Sequence, residues 1–113
     1  MERPLTEWER SVVRTLSDVD VPGIEIAHEA IDHLVVTGVC ECGCGSFNVR
    51  YERHPGQRHV QHVSNGVCGE IGFALFVGPD DRPIAIDDYL PDDRTLAQYG
   101  PPSPETITVR PAP

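Results

Sequence analysis

Residues 35–53, VVTGVCECGCGSFNVRYER, decide the fold, because here the apolar period changes from helical to alternating and β-branched residues take over. Val35 to Cys42 reads as a strand. Gly43-Cys44-Gly45 reads as a tight turn, since glycine enters positive φ at little steric cost. Ser46 to Arg53 returns beside it, with Phe47, Val49 and Tyr51 on one face and Asn48, Arg50 and Glu52 on the other. The stretch is a β-hairpin.

Upstream, the pattern is helical. Leu5, Trp8, Val12, Val13 and Leu16 form one apolar stripe, and Thr6 with Glu9 makes a capping box at its start. Asp20-Val21-Pro22-Gly23 is a turn into a second helix, whose buried face is read as Ile24, Ala27, Ile31 and Leu34. Downstream, a short strand is expected at His59–Ser64, then a hairpin turn at Asn65-Gly66. Val67, Ile71, Phe73, Leu75 and Val77 share one parity and predict the central strand of the sheet. The turn Gly78–Pro83 leads to a returning strand, Ile84–Tyr89, and Thr106–Val109 offers an edge strand. The fold class is α+β: two N-terminal helices packed on a four- or five-stranded antiparallel sheet.

The 113 residues fit a single domain, 1–113. Six of the eleven prolines (Pro91, Pro101, Pro102, Pro104, Pro111 and Pro113) follow residue 90. The folded core is therefore placed at about 5–90, with a Pro-rich C-terminal arm over 91–113.

Charge excludes several functions. With 9 basic against 18 acidic residues the formal charge is −9, and the chain has no lysine. A surface of that sign repels phosphate backbones and anionic lipid headgroups, so neither nucleic acid nor membrane is an expected partner. The first residues lack the apolar core of a secretion signal, and no apolar run reaches the ~20 residues of a membrane span. A cytoplasmic location is expected, where thiols stay reduced.

A helix pair followed by V-x-G-x-C-x-C-G-C-x-S-like residues (Val36 to Ser46), a D-D-R turn (Asp80 to Arg82) and a Leu90-Pro91 exit resembles a group of small uncharacterised bacterial proteins. In that domain of unknown function, a glycine-rich, often Cys-Gly-Cys turn follows two helices. The resemblance spans residues 5–110 and implies a helix pair on an antiparallel sheet, with no activity attached.

Two sets of residues are candidate sites. Cys40, Cys42, Cys44 and Cys68 are the candidate metal set, with His54, His59 and His62 as substitutes for one thiolate. Their spacing opposes chelation: C-x-C in a strand separates sulfurs by about 6–7 Å, whereas zinc turns use C-x₂-C. Reduced, packed cysteines are the leading reading, and a structural zinc site is the alternative. A catalytic thiol is disfavoured, since no cysteine opens a helix and Glu41 adjoins Cys40 and Cys42. The second set is acidic: Asp80-Asp81, Asp87-Asp88 and Asp92-Asp93 cluster around one hairpin and its exit. If they lie at neighbouring strand ends, they form one negative field facing a basic protein. The function expected is a non-enzymatic protein-binding module, immunity-like or regulatory, without a cofactor. The alternative is a small structural zinc-binding domain.

Overall fold

The computed structural model describes residues 2–39, 46–51 and 61–113. The architecture is α+β. Helix α1 (Glu7–Leu16) begins at the capping box read from the sequence. The Glu9 amide donates to Thr6 Oγ1 at 3.1 Å, and the Thr6 amide donates to Glu9 Oε1 at 2.8 Å. The Arg3 guanidinium completes the cap as a fork, 2.7 and 2.8 Å from the two Glu9 oxygens. Burial pushes the Glu9 carboxyl up, but Arg3 and the Thr6 amide outweigh it and hold it below its ordinary value of 4.5. A carboxylate depressed on folding stabilises the fold above its unfolded pKa, and that contribution is lost as pH falls through the folded value. Glu9→Gln is therefore expected to cost about 1–2 kcal/mol at pH 7 and much less at pH 3, by chemical denaturation at the two pH values. An equal cost at both would rule out the ion pair as its source.

Helix α2 (Ile24–Ala30) starts after Gly23, whose φ of +83° no L side chain adopts cheaply. A Cβ on Gly23 would also lie 2.4 Å from Asp81 Oδ2. Ala27, Ala30 and Ile31 are buried, and Ile31–His33 forms a 3-10 turn into the sheet. Leu34, read as helical, already belongs to a strand.

Among the described residues the sheet has seven antiparallel strands, which corrects the expected four or five. They are β1 (Arg3–Pro4), β2 (Leu34–Val39), β3 (Phe47–Tyr51), β4 (Gln61–Cys68), β5 (Ile71–Val77), β6 (Pro83–Tyr89) and β7 (Thr108–Pro111), in the order β1-β2-β3-β6-β5-β4-β7. β2 and β3 pair antiparallel as expected, Val39 opposite Phe47, and the Gly43-Cys44-Gly45 turn read between them lies outside the described residues. β5 is interior, flanked by β6 and β4. The two outermost strands are sheet edges. β1, not expected, is two residues long, too short to show a period. β7 is the edge strand read at Thr106–Val109, shifted to Thr108–Pro111 in the proline-rich stretch, where proline suits an edge.

Asn65-Gly66 is not a turn. Both residues lie inside β4, and the chain reverses at Gly69-Glu70, between the paired Cys68 and Ile71. Gly69 has φ +62°, the glycine-first geometry of a two-residue type II′ hairpin. Gly66 serves packing instead: a Cβ there would lie 2.6 Å from Ile107 Cγ2 and 2.8 Å from Leu16 Cδ2. Helix α1 and the C-terminal segment rest directly on the β4 backbone. Two residues earlier on the same strand, buried Ser64 donates to the Leu16 carbonyl at 2.6 Å, satisfying an acceptor that the helix end leaves open.

The core continues past residue 90, so the arm is part of the fold. Helix α3 (Leu96–Tyr99), a 3-10 turn (Pro104–Thr106) and β7 follow in turn, and Leu96 and Ile107 are buried with Val12, Val13, Leu16, Phe73 and Leu75. Trp8 fixes the segment by donating its indole N–H to the Pro102 carbonyl at 2.9 Å. The helices and this segment cover one face of the sheet. The register places Asn65, Val67, Gly72, Ala74, Asp87, Tyr89, Thr108 and Arg110 on the other.

Candidate functional site

The acidic doublets do not form one cluster. Asp80 and Asp81 lie in the turn before β6, whereas Asp87, Asp88, Asp92 and Asp93 lie at its far end, about 20 Å away at the strand rise. Adjacency in sequence misled because the intervening residues form an extended strand and not a compact turn.

Their partners differ as well. Asp80 accepts from Arg82 Nη1 at 2.9 Å and from the Arg82 amide at 3.2 Å. Partial burial pushes its carboxyl up, but these bonds outweigh that and lower it. Asp81 (φ +65°) sits against Gly23 at the start of α2. Asp92 takes both the side chain and the amide of Arg94, which hold its carboxyl down at about 2. Arg94 in turn stacks on Tyr99, 4.1 Å from the ring centroid. Asp88 is buried, 8% exposed, and faces the helix side of the sheet. Its amide donates to Ser46 Oγ and its carboxylate accepts from the same hydroxyl, each at 2.9 Å. That pair ties the described end of the β2–β3 hairpin to β6.

Asp87 and Asp93, like Asp81, have no ion pair or side-chain hydrogen bond among the described residues, unlike Asp80, Asp88 and Asp92. Glu70, exposed in the β4–β5 turn at the same end of the sheet, is likewise unpaired there. The end at which β6 exits thus carries, among the described residues, three carboxylates without a counter-charge, Glu70, Asp87 and Asp93. Glu70 was not among the sequence candidates, because only the true position of the turn brings it here.

Beside these acids runs a groove of about 830 Å³ on the face of the sheet opposite the helices. Its floor is a cross-strand row: Thr108 on β7, Val67 on β4, Gly72 on β5 and Tyr89 on β6. Val67 and Tyr89 are 51% and 54% exposed, large apolar groups left facing water. Gly72 between them leaves a notch.

Of the candidate metal set, Cys40, Cys42 and Cys44 lie outside the described residues, as do His54 and His59. Cys68 is a free, half-buried thiol at the end of β4, 3.3 Å from Thr106 Oγ1. β4 stands three strand spacings from β3, about 14 Å. His62 bonds Asn65 Oδ1 at 2.8 Å and stacks on Phe76 at 5.0 Å. Among the described residues no three His, Cys, Asp or Glu side chains converge on a metal position, and no helix is long and apolar enough to cross a membrane.

The chain is thus an α+β protein whose sheet carries its helices on one face and, among the described residues, no helix on the other. In comparisons with known proteins, no family model, no curated protein and no solved structure matches it. The functional reading therefore rests on its own residues.

Proposed function

We propose that the chain is a non-enzymatic protein-binding module, immunity-like or regulatory, that meets a basic partner through the acidic end of its sheet. The observation that carries this reading is the contrast between the carboxylates at the two ends of β6. At the end where β6 begins, Asp80 is neutralised by Arg82, which leaves Asp81 as the one carboxylate of that turn without an ion pair among the described residues. At the exit end Glu70, Asp87 and Asp93 stand without a counter-charge among the described residues. Like charges held together repel, and an incoming cationic surface relieves that repulsion. A net charge of −9 also exceeds the magnitude of about 2–8 that serves solubility in a small domain.

Capture from the native cell lysate tests the reading. A basic protein is expected at low salt and released at high salt, with recovery falling for Glu70→Gln/Asp87→Asn/Asp93→Asn. Asp80→Asn/Asp81→Asn, at the other end of β6, should leave it unchanged. Asp88 is kept, because its bonds to Ser46 are structural. Absence of any basic protein, or capture indifferent to salt and to the triple variant, would refute the proposal.

A further inference from the structure

Gly72 has no role in the fold that another residue would not fill. Its φ is not in the left-handed region, unlike that of Gly23, Gly69 or Gly100. A Cβ at Gly72 would meet Tyr89 Cβ at 3.6 Å and the Gly66 carbonyl at 3.9 Å, ordinary contacts, whereas a Cβ at Gly66 would strike the core. Yet glycine inside a strand weakens it, by roughly 0.5–1 kcal/mol relative to alanine. Where the fold does not require it, an interior strand glycine often marks the close approach of another molecule.

From this notch we infer that the Gly72 groove is an anchor pocket, deepening the reading above, on which it rests: it takes one apolar side chain from an extended segment of the basic partner. The Val67 and Tyr89 side chains wall the notch, and the aromatic face of Tyr89 gives a large contact at small entropic cost. Charge complementarity orients the segment. Asp87 lies two residues before Tyr89 on the same face, and Glu70 follows Gly69 at the groove's end. Arg110, on the β7 side, is the opposing cation. The partner's arginines or lysines therefore flank the anchor on the β6 and turn sides, away from β7.

The test uses ¹⁵N-labelled full-length protein and three synthetic peptides: acetyl-RRLRR-amide, its alanine-centred form RRARR, and the acidic EELEE. Expected is perturbation of the Val67, Gly72 and Tyr89 amides by RRLRR, with RRARR weaker by about tenfold or more, as for loss of an anchor. Gly72→Val should fill the notch and abolish the preference for leucine, while thermal denaturation shows the variant at least as stable as the native chain. Equal binding of RRLRR and RRARR, shifting only Glu70, Asp87 and Asp93, would remove the pocket and leave the acidic surface standing. Preference for EELEE would show Arg110 dominant and overturn the orientation. Binding of no peptide would overturn both the pocket and the surface reading beneath it.

Discussion

Phe73→Ala is expected to destabilise the protein by about 3–5 kcal/mol, the range for deleting a buried aromatic ring. Phe73 is 2% exposed on the interior strand β5. Its ring meets Trp8 edge-on, with centroids 6.2 Å apart, so the deletion removes both burial and an aromatic pair between sheet and helix. Trp8 in turn holds the segment around Pro102. The loss should therefore also loosen the C-terminal segment, visible as faster amide exchange in β7. Urea denaturation measures the main effect, and a shift below about 1 kcal/mol would place the ring at the surface and contradict the sheet order.

The second large effect is Gly66→Leu. A side chain there enters space already held by Leu16 and Ile107, and overpacking of this kind costs about 1–3 kcal/mol or more. Combining it with Ile107→Ala makes the cause testable. If the clash is with Ile107, the double variant recovers part of the loss, a coupling of roughly 0.5–3 kcal/mol in a double-mutant cycle. Strict additivity would mean that Gly66 matters for its backbone conformation, as a hairpin-turn reading of Asn65-Gly66 requires.

That glycine marks the boundary of what the sequence makes legible. Local signals translate directly: the Thr6–Glu9 box caps α1, and the alternation of Phe47 and Val49 sets the buried face of β3. Their physics is contained within a few consecutive residues. Asn65-Gly66 carries an equally strong local signal but is overridden, because what excludes a side chain at Gly66 comes from residues 50 positions earlier and 41 later, Leu16 and Ile107. The proline-rich stretch misleads for a related reason. Its composition indicates poor local propensity, yet Leu96 and Ile107 have a core to enter once the sheet exists. An indole N–H and an isolated isoleucine among prolines were the available cues, since both call for a partner.

The acidic surface shows the same division. The number of aspartates is plain in the sequence, but whether they act together depends on the length of β6, which sets Asp80 and Asp81 apart from Asp87. Which of them stay uncompensated depends on Arg82 and Arg94, each two residues after the aspartate it neutralises. Glu70 and the Gly72 notch emerge only when the reversal at Gly69-Glu70 and the cross-strand row are in place.

The most direct test of the proposed surface is the association rate constant of the captured basic partner, followed by stopped flow across ionic strength. Steering by a local field predicts a rate that falls steeply with salt and falls at low salt for Glu70→Gln/Asp87→Asn/Asp93→Asn, with Asp80→Asn/Asp81→Asn close to the native chain. Equal slowing by both variants would contradict the account, since it would assign the attraction to the overall charge and not to the exit end of β6.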